Sequence, residues 1–214
     1  MLDAFKQTGP ELKFKSRDAL LAIITIGGMR DHGPHLGSAA ELRLLEFYGT
    51  TLKDRFYPYI FLTPGVAYSM GEGAFFTLAP EIAEGLVRDI TLGVKSLGIG
   101  KVMGLACGTN ELEALKKGFG ASKGVKTYAF GIWEFYPRLE AFEEEDPLSR
   151  GGPYITSQLM HVDKSYVKEE MIKYLEPSPD AHCDPRKSSP ELGKMIVEKV
   201  LEALFAKSDE IMRE

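Results

Sequence analysis

Cysteine, histidine and tryptophan are scarce in this chain: two cysteines, four histidines and one tryptophan in 214 residues. Cys107 and Cys183 stand far apart and make no disulfide framework, which suits a reducing compartment. A chain of this length buries enough apolar surface to fold without covalent staples. No apolar run approaches the roughly 20 residues a membrane span needs, and residues 1–6 lack the basic-then-apolar order of a secretory leader. A cytoplasmic protein with no membrane partner is therefore expected. With a formal net charge of -5 and no Lys/Arg cluster, nucleic acid is not an expected partner either. Also missing are a Gly-x-Ser-x-Gly elbow, a Walker phosphate loop, a dinucleotide glycine fingerprint and any internal repeat.

What is present has the make-up of an ordinary globular domain, 44% apolar and 27% charged, expected to be a single unit over 1–214. Residues 20–26 form a continuous, β-branched apolar run that stops at Gly27-Gly28 and reads as a buried strand. Further strands are expected over 59–63, 101–107 and 127–135. Helices are expected over 38–47, with Ser38 as N-cap and Glu41 completing a capping box, and over 80–97, where Ile82, Leu86, Ile90, Val94 and Leu97 recur at helical spacing before Gly98. Three more are expected over 111–117, 165–175 and 191–214. The segment 177–190 and the acidic run 143–146 read as loops, the latter solvated. Strand, loop and helix in repeated alternation predict an α/β protein with three layers, α/β/α, around a mainly parallel sheet.

In such sheets ligands collect beyond the carboxyl ends of the strands. After the first strand comes Met29-Arg30-Asp31-His32-Gly33-Pro34-His35, holding two of the four histidines, and after the third comes Cys107-Gly108-Thr109-Asn110. Imidazole with carboxylate suits zinc, manganese or iron, and Glu41, one turn into the next helix, can point back at the same place. The plainer reading of these residues makes His32 and His35 hydrogen-bonded turn residues and Cys107 a small buried apolar group. A third reading pairs Cys107 with His32 as a thiol nucleophile.

The stretch from Gly28 through Arg30, His32 and His35 to Leu36 resembles the Glu-Gln-His-Gly-Pro-His-Leu signature of the creatininase (creatinine amidohydrolase) family. The resemblance continues along nearly the whole chain. Gly98-Ile99-Gly100-Lys101-Val102 through Asn110 is similar to the strand leading into that family's Asn-Gly-His-Gly-Gly-Asn turn, and Gly131-Ile132-Trp133-Glu134-Phe135 to its aromatic strand end. Thr156-Ser157, Asp184-Pro185, Ser188-Ser189 and Glu191-Leu192-Gly193 match its later elements in order and spacing. The resemblance implies a creatininase-like fold, a two-metal site that hydrolyses cyclic or linear amides through a metal-bound water, small polar substrates, and a homo-oligomer, often a hexamer. Relatives that act on other compounds, among them deformylases of archaeal cofactor pathways and hydrolases of inositol-derived ketones, leave the substrate open.

Matching residue by residue, the family's first metal-ligating glutamate falls on Arg30, its turn histidine on Cys107, an acidic position on Thr109 and a later histidine on Arg150. A later acidic ligand falls on or near Pro153 and Ile155. His32 keeps its histidine, and Glu41 stands for a bridging aspartate. The resemblance therefore implies at most one divalent metal (Zn, Mn or Fe), or none, with His32, Glu41 and Cys107 as ligands. Asp31 or His35 is the general acid/base candidate, Arg30 and Arg150 are further catalytic candidates, and Asn110, Thr109 and Trp133 line the substrate. The function expected is a creatininase-like hydrolase of a small polar amide or cyclic carbonyl compound. The alternative is a metal-free binding protein that recognises a small anion through Arg30 and Arg150.

Overall fold

Strand β1 (Leu21–Ile26) is buried at every position, as an apolar run without polar alternation must be when both faces of its sheet are covered. The computed structural model describes residues 8–68, 70, 74–143, 145–175 and 184–214. In it β1 lies between β2 (Ile60–Leu62) and β3 (Lys101–Ala106), and β3 pairs in turn with β4 (Lys126–Gly131). The four strands are parallel, in the order β2-β1-β3-β4, with Ile26 opposite Ala106 and Ala106 opposite Gly131.

The strand period of two sorts the side chains into two cores. Leu21, Ile23, Met103 and Leu105 pack with Leu44, Tyr48, Leu159 and Val200, on helices α2 (Ala40–Arg55), α5 (Pro153–Val162) and α7 (Pro190–Arg213). Ala22, Ile24, Val102 and Ala106 pack with Val87, Val94, Leu115 and Phe119, on α3 (Pro80–Ser96) and α4 (Thr109–Gly120). The result is the three-layer α/β/α architecture that the alternation predicts. Short α1 (Gly9–Lys15), which the apolar pattern does not signal, opens on a capping box between Thr8 and Glu11. Among the described residues no helix is long and apolar enough to cross a membrane.

Several expected elements are corrected. Helix α2 runs to Arg55 and begins at Ala40, with Ala39 as its N-cap and no side-chain cap. Ser38 instead lends its backbone carbonyl to the Arg30 N–H at 2.9 Å, and the Glu41 carboxylate turns to the Arg30 side chain. The fourth strand ends at Gly131, and residues 132–135 form a 3-10 turn whose Glu134 carboxylate accepts the Gly131 N–H. The helix expected over 165–175 is only a 3-10 turn and four-residue α6 (Glu169–Ile172). The substantial helix of that region is α5, opened by Pro153 at its first position. Its Thr156, Ser157 and Gln158 are fully buried, so no polar face advertised it. Glu145, in the acidic run expected to be solvated, is buried and bound by Lys187 Nζ at 2.6 Å and the Asp184 N–H at 2.9 Å. Residues 177–183 of the 177–190 loop, Cys183 among them, lie outside the described residues.

Helix α5 is held by α7 at backbone contact. A methyl group on Gly193 would overlap the Ser157 carbonyl, and the Ser157 hydroxyl accepts the Ser189 N–H at 3.2 Å. Gly193→Ala is expected to destabilise the fold by about 2 kcal/mol or more, because neither helix can retreat without opening the core. Thermal or urea unfolding measures this, and a wild-type midpoint would refute the contact.

Candidate functional site at the ends of β1 and β3

Because β1 and β3 are neighbours in register, the loop after Ile26 and the turn after Ala106 emerge side by side. The first delivers Arg30, with the backbone fixed by its N–H on Ser38 and an antiparallel bridge to Ala74. The second leads through Cys107-Gly108 into α4, whose first turn carries Glu111. The Arg30 side chain is 7% exposed and forms ion pairs with two carboxylates: Nη2 with Glu111 and Nε with Glu41 at 3.3 Å. Glu111 is fully buried and also accepts the Met70 N–H at 3.1 Å, while the Asn110 amide donates to the Met70 carbonyl at 3.3 Å. Gly108 leaves room for this cluster, since a Cβ there would overlap the Glu111 carboxylate.

His32 is 2% exposed, and neither of its ring nitrogens has a hydrogen-bond partner among the described residues. Burial first, then the positive charges of Arg30 and Arg150, push its pKa down to about 4, so the ring is neutral at physiological pH. Glu41 moves the other way, to about 7. Burial of the carboxylate outweighs the attraction of Arg30, and Glu111 adds repulsion. The Cys107 thiol donates to the Glu41 backbone carbonyl at 3.5 Å, and burial holds its pKa well above the ordinary thiol range. It is a protonated, weak nucleophile, not an activated thiolate.

The remaining sequence candidates fall around this cluster. His35 is engaged elsewhere. Its Nε2 lies 3.0 Å from the Gly151 carbonyl, which can only accept, so that nitrogen carries the hydrogen; Thr156 Oγ1 is at 3.2 Å. Asp31 is exposed and accepts the Gly33 N–H at 2.9 Å, bracing its own turn. Arg150 is exposed, with its charge acting on both His32 and Glu41. Thr109 opens α4, and Trp133 lines a neighbouring cleft of about 580 Å³ with Tyr136, Phe142, Tyr154 and Arg138. Sequence reasoning missed Glu111. Its one signal, an acidic residue in the first turn after a strand-end loop, is shared by most helices.

The residues expected as metal ligands are His32, Glu41 and Cys107. Among the described residues no three His, Cys, Asp or Glu side chains converge as a metal-holding group. The physical reason is Arg30: its guanidinium occupies the space facing Glu41 and Glu111, and the Cys107 sulfur keeps its proton. The donor set does not fit a resident metal. The same ion pairs weaken a cationic hole built on Arg30 and Arg150, because Glu111 matches the Arg30 charge.

No protein-family model matches the sequence. No curated protein matches it either. Solved structures do. A creatininase point mutant complexed with creatine superposes with a TM-score of 0.82 at 15% identity, over 98% of each chain. Manganese creatininase gives 0.82 at 16%, again over 98% of each chain. A Zn-Zn creatininase mutant gives 0.80 at 15% over the same shares. The chain has the creatininase fold.

His32 and Glu41 impose opposite pH dependences. A folded-state pKa below the ordinary 6.5 means that His32 contributes fully above that pH and loses its contribution as pH falls towards 4. Glu41, raised above 4.5, contributes fully below that pH and loses its contribution as pH rises to about 7. Between 4.5 and 6.5 the slopes cancel. Relative to wild type, His32→Asn is expected to lose Tm as pH rises from about 4 to 6.5, and Glu41→Gln to lose Tm as pH falls from about 7 to 4.5. Parallel Tm profiles for all three proteins would contradict this assignment.

Proposed function

We propose that the chain is a hydrolase of the creatininase kind, acting without a resident metal on a small polar amide or cyclic carbonyl compound at the ends of β1 and β3. The observation that carries this reading is His32, a buried imidazole with both nitrogens unpartnered among the described residues, set beside a buried arginine and two buried carboxylates. Buried polar atoms are nearly always satisfied, and each one left over costs about 1–3 kcal/mol. A polar molecule entering the site supplies the partners. Likeness of fold to creatininases supports amide hydrolysis as the chemistry.

In this reading, neutral His32 takes a proton from water as the water oxygen bonds to the substrate carbonyl carbon. Arg150, at the rim, stabilises the oxyanion that forms, while Arg30 holds Glu41 in place. Glu41, half protonated near neutrality, gives its proton to the leaving nitrogen as the carbon–nitrogen bond breaks, and His32 returns its own to restore Glu41 through solvent. Asn110, Thr109 and Trp133 hold the substrate, while Asp31 and His35 fix the loop that presents His32. A cytoplasmic homo-oligomer belongs to the same reading, supported by exposed Tyr68, Phe75, Phe76 and Ile82.

Arg150 favours a second reading, a non-catalytic anion-binding protein, because its exposed charge bears on His32 and Glu41 together. A panel of lactams, cyclic ureides and formamides assayed with and without chelator separates the two. Chelator-insensitive turnover is expected, with kcat falling about 100-fold or more in His32→Ala. Turnover that needs added metal, or survives His32→Ala, overturns the metal-free mechanism. Thermal stabilisation by phosphate or carboxylates with no turnover supports the binding protein instead.

A further inference from the structure

We propose that Arg30 is a built-in counter-ion that shuts divalent metal out of this site, its guanidinium filling the position between Glu41 and Glu111 that a bound cation would take. The inference concerns occupancy alone and holds whether or not the site is catalytic.

Glu41 and Glu111 come from the first turns of two different helices, α2 and α4, and their side chains are 10% and 0% exposed. Two carboxylates facing one another out of water require a cation between them, or one must take up a proton. The cation here belongs to the chain. Arg30 arrives from a third element, with its backbone pinned on one side by Ser38 and on the other by Ala74, so the guanidinium is aimed and not adventitious. A guanidinium keeps its charge at every physiological pH and offers a fork of donors to two acceptors at once. A lysine in the same place could lose its proton on burial. Metal and arginine are mutually exclusive: a divalent ion approaching the two carboxylates meets a fixed positive charge already in contact with both.

Removing the charge should therefore create what the charge prevents. Wild-type protein, stripped with chelator and dialysed against zinc or manganese ions, is expected to retain no stoichiometric metal by elemental analysis. Arg30→Gln removes the guanidinium from between Glu41 and Glu111, beside His32; it is expected to gain one equivalent of zinc or manganese and to melt higher with metal than without. Without metal its Tm should lie about 10 °C below wild type. The double variant Arg30→Gln/Glu111→Gln removes both charges, and should recover much of that Tm and bind no metal. Stoichiometric metal in the wild type, or a folded Arg30→Gln that takes none, overturns the proposal. Should Arg30→Gln be recovered only unfolded, folding of the double variant supports charge compensation and its failure to fold overturns it. Neither result depends on a substrate, so the hydrolase reading can fail while this one stands.

Discussion

One buried positive charge sets the terms for the strand-end site. Arg30 lies between carboxylates from two helices on opposite faces of the sheet, α2 and α4, and so joins both outer layers across the C-terminal edge of β1 and β3. Breaking one side of such a pair leaves an uncompensated charge out of water, at a cost of about 3–5 kcal/mol. The same charge lowers the pKa of His32 and moderates the upward shift of Glu41. Stability and chemistry at this edge therefore cannot be varied separately: any change that moves the guanidinium alters the layer contacts and the protonation of both flanking groups.

Fold and site obey different rules here. The sheet is specified by apolar runs whose alternate residues serve two cores, and many sequences satisfy that requirement, which is how creatininase architecture persists at so low an identity. The site depends on five or six side chains at strand ends. There, the guanidinium of Arg30 facing Glu41 and Glu111 turns a place that two carboxylates would make attractive to cations into one that repels them. The scaffold still delivers polar groups to the edge where such sheets bind ligands. What those groups can do is decided by Arg30.

That division explains what was legible in the residues. The run 20–26 is a direct consequence of burial. It and the 80–97 pattern appear as a strand and a helix with small shifts of boundary, although that helix buries Ala83, Val87, Thr91 and Val94 and leaves Ile82 exposed. Helix α5 was not legible because Thr156, Ser157 and Gln158 are buried through specific partners: His35 with Thr156, and Tyr48 with Gln158 at 2.6 Å. Polar residues inside a core carry no periodic signal, since their burial depends on groups far away in sequence. Glu111 was hidden for a related reason. Its significance arises from an arginine 81 positions earlier, and nothing local marks it. Ser38 and Glu41 show the converse, a convincing local pattern overridden when a tertiary ion pair offered the carboxylate more than the helix end did.

The loop that carries His32 is fastened at both ends and from several sides. Arg30 is tied to Ser38 and Ala74, His35 to Gly151 and Thr156, the His35 carbonyl accepts the Lys168 N–H at 2.8 Å, and Leu36 bridges Val167. Metal ions commonly serve as templates that orient the groups around them. Here backbone hydrogen bonds and a buried ion pair contribute to that order. The neutral ring of His32, with no hydrogen bond of its own among the described residues, is held by its neighbours in the chain. Such a ring can receive a ligand without first rearranging, which removes the ordering cost that a loosely held loop would impose on binding.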